Sequence, residues 1–84
     1  MQPIKLDLAL YGEQKGTLYL YSDRLSFKGR KGLSFDVPLN EMKKIAFHKT
    51  AFVTSTLFIN DMEITVCRAH LWCQKIRELR GENI

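Results

Sequence analysis

Cys67, His70 and Cys73 follow one another at intervals of three, with His48 upstream, and no other side chains in the chain are so suited to holding a metal. Zinc takes Cys and His ligands, but its sites favour closer Cys spacing and need four ligands. Cys73 also stands beside Trp72 in an apolar stripe, where a free thiol behaves as a small hydrophobe. The expectation is two reduced thiols and a surface His, with no metal and no cofactor. Catalysis is equally poorly served. His48 has no carboxylate or nucleophile beside it in sequence. There is no nucleophile elbow, phosphate loop or metalloprotease motif, so no catalytic residue is assigned.

Binding chemistry is better represented. Lys28, Arg30 and Lys31 are interleaved with Gly29 and Gly32, so backbone amides as well as cations can approach an anion there. Tyr19 and Tyr21 share the strand face opposite Leu18 and Leu20, and Phe58 stands likewise between Leu57 and Ile59. If the aliphatic side chains fill an interior, these three aromatics face outward and are candidates for a protein interface.

These residues are carried by strands. The 84 residues make one domain, 1–84. Leu6, Leu8 and Leu10 share one face, with Lys5, Asp7 and Ala9 on the other. A glycine-bracketed turn from Gly12 to Gly16 leads into two alternating strands around the polar turn Ser22-Asp23-Arg24. Leu33 to Leu39 alternates again and must end, or lie at an edge, at Pro38, which cannot donate to a ladder. Ile45 and Phe47, then Leu57 and Ile59, then Met62, Ile64 and Val66 mark three more strands, with Asn60-Asp61 as a two-residue turn. After Cys67 the period changes. Ala69, Trp72, Cys73, Ile76 and Leu79 recur at helical spacing, with Arg77 and Arg80 in the last turn and Gly81 after it. Arg68 is a poor N-cap. The expected fold is mainly β: seven strands over about residues 4–67, rolled into a sheet or barrel, and one C-terminal helix over about 69–80 that caps it.

The wording of this pattern resembles the GRAM domains of the pleckstrin-homology-like (PH-like) superfold. Gly16, Leu18, Tyr19 and Leu20, then Leu25 and Phe27, then Val37-Pro38-Leu39 with Glu41 and Ile45, and Trp72 and Ile76 in the closing helix, carry the resemblance over about residues 10 to 80. It implies a PH-like barrel acting as a non-catalytic adaptor on a membrane lipid headgroup or a protein partner. It also implies that the first two hairpin turns share the open end, which adds Lys15 to Lys28, Arg30 and Lys31. The denser Lys-x-Lys/Arg-x-Arg spacing of phosphoinositide-binding pleckstrin domains is missing.

Thirteen basic against nine acidic residues give a formal charge of +4, which favours acidic partners. Four basic residues at about 1 kcal/mol each amount to about 4 kcal/mol, a millimolar affinity that needs a second contact to hold a membrane. Nucleic-acid binding by a small basic barrel is the alternative. It calls for aromatics interleaved with Lys and Arg on one strand face, whereas Tyr19 and Tyr21 share theirs with Thr17. No signal peptide or membrane-length apolar run is visible, so the expected location is cytoplasmic and at most peripheral at a membrane. The core is modest, and a homo-oligomer would add to it.

Overall fold

The computed structural model describes residues 2–49 and 54–82. Seven strands form one antiparallel sheet in the order β4-β3-β2-β1-β7-β6-β5. They are β1 Lys5–Tyr11, β2 Gln14–Leu20, β3 Arg24–Gly29, β4 Ser34–Pro38, β5 Ile45–Lys49, β6 Ser55–Ile59 and β7 Met62–Val66, followed by the helix α1 Ala69–Leu79. The fold is mainly β with a single C-terminal helix, and the sheet is curled into a half-barrel, as the strand and helix periods lead one to expect. Pro38 ends β4, which is an edge strand. Both properties follow from its missing N–H.

β1 is the seam of the sheet. All seven of its residues pair with β2, from Lys5 opposite Leu20 to Tyr11 opposite Gln14. Only Ala9, Leu10 and Tyr11 pair with β7. The sheet therefore opens between β1 and β7 at the start of β1. Inward and outward residues alternate in β2, β6 and β7, while β3 buries Ser26 as well as its neighbours Leu25 and Phe27. Leu18, Leu20, Leu25, Phe27, Leu57, Ile59 and Ile64 are fully buried and build the core. Tyr11 and Phe35 pack edge to face against it, 5.0 Å between ring centroids. Gly16 sits opposite both Ala9 and Gly29. A Cβ there would lie 2.5 Å from the Lys28 carbonyl oxygen and 2.7 Å from the Phe27 ring, so only glycine lets the strands approach.

The helix closes the far half. It packs on β5 and β6, and Arg77 donates to the Ile45 carbonyl at 2.8 Å. Ala69, Trp72, Cys73 and Ile76 form its buried stripe. Arg68 is indeed no side-chain cap and takes a left-handed conformation, φ 56°. The cap comes instead from β6: Ser55 Oγ accepts the Ala69 N–H at 2.7 Å while donating to the Val66 carbonyl at 2.7 Å. One hydroxyl thus ties the end of β7 to the start of α1. The Asn60-Asp61 turn is present, with Asn60 at φ 55°. Its side-chain oxygen accepts the Lys43 and Lys44 N–H groups, which fixes the chain entering β5.

Trp72 is fully buried, with the Lys5 ammonium 5.4 Å from its ring centroid. Its indole N–H has no hydrogen-bond partner among the described residues. Trp72→Ala should therefore cost about 3–5 kcal/mol and unfold much of so small a domain. Trp72→Phe should cost clearly less, because it keeps ring volume and removes an orphaned donor. Equilibrium denaturation of the two variants checks this; equal losses would show that packing volume is not what Trp72 contributes.

Candidate functional site

The residues singled out in the sequence do not form one cluster. Register explains why. Tyr21 donates its N–H to the Arg24 carbonyl at 2.8 Å, and the Lys15 carbonyl accepts the Arg30 N–H at 2.9 Å. Lys15 and Arg30 are therefore neighbours across the β2–β3 hairpin. They line the same groove, about 270 Å³, with Leu8, Leu10, Thr65 and Cys67. Among the described residues no carboxylate pairs with either cation. Lys28 lies elsewhere. It pairs with Thr17, and its ammonium reaches over the Tyr19 ring, 5.7 Å from the centroid. Lys31 is exposed in the turn after β3. The expected four-residue basic site is thus two cations at a groove, one on an aromatic face, and one at a loop tip.

Tyr19 and Tyr21 do face away from the buried Leu18 and Leu20. Their rings stack at 6.3 Å and both are half-buried. Arg24 stands 4.3 Å over Tyr21 and also binds Asp23 at 3.0 Å, so its charge is largely taken up locally. Ser26 and Asp36 add a hydrogen bond on the same face. Phe58 is outward too and half-buried, with Lys44 5.4 Å from its ring. However, β1 and β7 stand between β6 and β2. At about 4.8 Å per strand that is roughly 14 Å, so Phe58 is not part of the tyrosine surface.

In the sequence the leucines of β1 stand out only as alternating apolar residues, with no role attached. Because Lys5, Asp7 and Ala9 face the same side as the buried Leu20, Leu18 and Gly16, Leu6 and Leu8 must face outward. Ile4, Leu6 and Leu8 are 43%, 56% and 66% exposed. A run of three exposed aliphatic side chains beside Tyr19 is an apolar surface. The signal was in the sequence: the two strands cannot both turn their leucines inward in the register that the Gly12–Gly16 turn imposes.

His70 of α1 and Phe47 of β5 lie near each other, ring centroids 6.0 Å apart, in a second hollow of about 430 Å³ lined also by Cys73 and Arg77. Cys67 is exposed and Cys73 buried. No three His, Cys, Asp or Glu side chains among the described residues stand together in a way that could hold a metal. No helix among them is long and apolar enough to cross a membrane. Comparison of the chain with protein-family models, with characterised proteins and with solved structures finds no match.

Burial pushes the Cys73 thiol above its usual range, with Arg77 opposing the shift and Glu82 adding to it. The folded chain therefore holds this proton more tightly than the unfolded chain. Its contribution to stability is complete below the unfolded thiol's range and is lost as pH rises toward the folded value. Thiol titration with a disulfide reagent at pH 8 should show one fast group, Cys67, and one that reacts only on unfolding, Cys73. Two equally fast thiols would contradict the placement of α1.

Proposed function

We propose that this chain is a non-catalytic interaction module that docks an acidic protein partner on the outer face of β1 to β3. The reading keeps the adaptor role that the GRAM and PH-like resemblance implies. One observation carries it: exposed Ile4, Leu6 and Leu8 run alongside the groove where Lys15 and Arg30 meet with no carboxylate partner among the described residues. Apolar side chains supply the area that binding needs, and the cations select the sign of the partner. Tyr19 and Tyr21 extend the same face, their rings already stacked on each other and half-buried.

A second reading, an anionic lipid headgroup, is favoured by the same pair of cations, with Lys31 exposed nearby and Leu8 available to enter the lipid interface. It is the weaker of the two, because Lys28 lies over Tyr19 and Arg24 is bound to Asp23. Two cations rather than four then stand at the groove, and each contributes only about 1 kcal/mol.

The two readings separate in one paired experiment. The parent chain and a Leu6→Glu/Leu8→Glu variant are used for affinity capture and for sedimentation with phosphatidylserine vesicles. Both substitutions are at exposed positions and should leave the melting temperature within a few degrees. The proposal expects captured protein to be lost with the variant, and vesicle binding by the parent to be weak and abolished near physiological salt. Capture that is indifferent to the variant, or strong vesicle binding, would overturn it.

A further inference from the structure

The start of β1 is an open sheet edge as well as an apolar face. Lys15 in β2 and Tyr21 just after it use their backbone groups toward β3, so the even residues of β2 face β1. Their partners there are Lys5, Asp7 and Ala9. Alternate residues of a strand direct their N–H and C=O to opposite neighbours. Leu6, Leu8 and Leu10 therefore point theirs to the other side. Leu10 finds Thr65 of β7. Leu6 has no strand there, because β7 ends at Val66. Of Leu8 only the N–H is left, because the pairing of Ala9 with Val66 turns the Leu8 carbonyl toward Cys67. The Leu8 N–H is donated instead to the neighbouring Asp7 Oδ1 at 2.8 Å. A charged side chain lying on a free edge is a common way to keep such an edge from pairing at random.

Two hollows adjoin this edge. One, about 310 Å³, lies between Ile4, Lys5 and the helix residues Leu71 and Lys75. The other is the groove with Lys15 and Arg30. The first touches the beginning of β1, and the second touches Leu8 to Leu10. From Ile4 to Leu10 is about 20 Å of strand.

We propose that an extended segment of the acidic partner adds to the sheet as a strand along Lys5 to Leu8, antiparallel to β1 and beside α1. The inference rests on the protein-binding reading above and specifies how the partner is held. The segment's backbone would pair with Leu6, and one of its carbonyls would displace the Asp7 carboxylate from the Leu8 N–H. Alternate apolar side chains would lie against Leu6, Leu8 and Leu71. Where it meets the end of β7, the segment leaves the ladder and crosses the groove. Acidic residues at its N-terminal end would there meet Lys15 and Arg30. A second copy of this chain is a poorer occupant, because its net charge of +4 opposes self-association and Lys15 and Arg30 would face no acidic complement of their own kind.

The probe is a blocked synthetic peptide, Glu-Glu-Val-Thr-Val-Thr-Val, titrated into the isotope-labelled full chain and followed by amide chemical shifts. The inference expects shifts at residues 4–8 and 71–75. Asp7→Ala should tighten binding about fivefold, by freeing one edge donor. Lys15→Glu/Arg30→Glu should weaken it up to about tenfold. Proline in place of the central valine should abolish it with the protein unchanged. Shifts confined to the groove around Lys15 and Arg30, or equal binding of the proline peptide, would overturn strand addition. A dimer formed by Asp7→Ala in sedimentation velocity, with no peptide binding, would overturn the acidic occupant in favour of a second copy. If capture depends on Leu6 and Leu8 but Asp7→Ala binds the peptide no better than the parent does, strand addition fails and the docking face stands. If capture is indifferent to those leucines, the docking face itself fails.

Discussion

Everything distinctive about this fold follows from the unequal pairing of β1. All seven of its residues stand opposite residues of β2, and only three of them stand opposite residues of β7. The long ladder fixes the register and sends Ala9 and its alternates inward. The short one leaves room for Trp72 to seal the core from the helix side. A longer β7 would have covered Leu6 and Leu8 but displaced the turn through Arg68 into α1. The Ser55 hydroxyl holds that turn where it is, since it bonds to both Val66 and Ala69.

The same constraint produces the candidate site. Three strands that meet at Ala9, Gly16 and Gly29 must approach closely, and glycine allows it. That approach puts Lys15 beside Arg30. It also turns the leucines of β1 toward solvent, next to a groove that Leu8 and Leu10 line together with those two cations. Cations, apolar side chains and an unpaired backbone edge thus come together for one structural reason. Asp7 keeps the edge occupied when nothing else does.

Much of this architecture was legible in the residues. Period-two alternation located all seven strands, Pro38 marked the end of β4, and the change of period after Cys67 located α1 to within a residue. Tyr19, Tyr21 and Phe58 were placed outward because Leu18, Leu20, Leu57 and Ile59 had to be inward. What hydropathy could not supply was pairing. Alternation says that Leu6 and Leu8 share a face but not which face, and only the register with Leu18 and Leu20 decides that. It likewise could not split Lys28 from Arg30, which differ by two positions but go to different neighbours because Lys28 lies on the strand and Arg30 in the turn. The helix cap was invisible for a similar reason: Ser55 is fourteen residues from Ala69 and reaches it only through the folded sheet.

The central claim is that the first half of β1 is a free edge, and amide hydrogen exchange by magnetic resonance tests it most directly. Lys5, Asp7 and Leu10 should exchange slowly, because their amides are taken up by β2 or by β7. Leu6 should exchange orders of magnitude faster than Leu10 on the same strand, because its N–H faces the gap that β7 leaves. Leu6 and Leu10 amides with equal protection would mean that another part of the chain already covers the edge, and β1 would then have no free half for a partner to join.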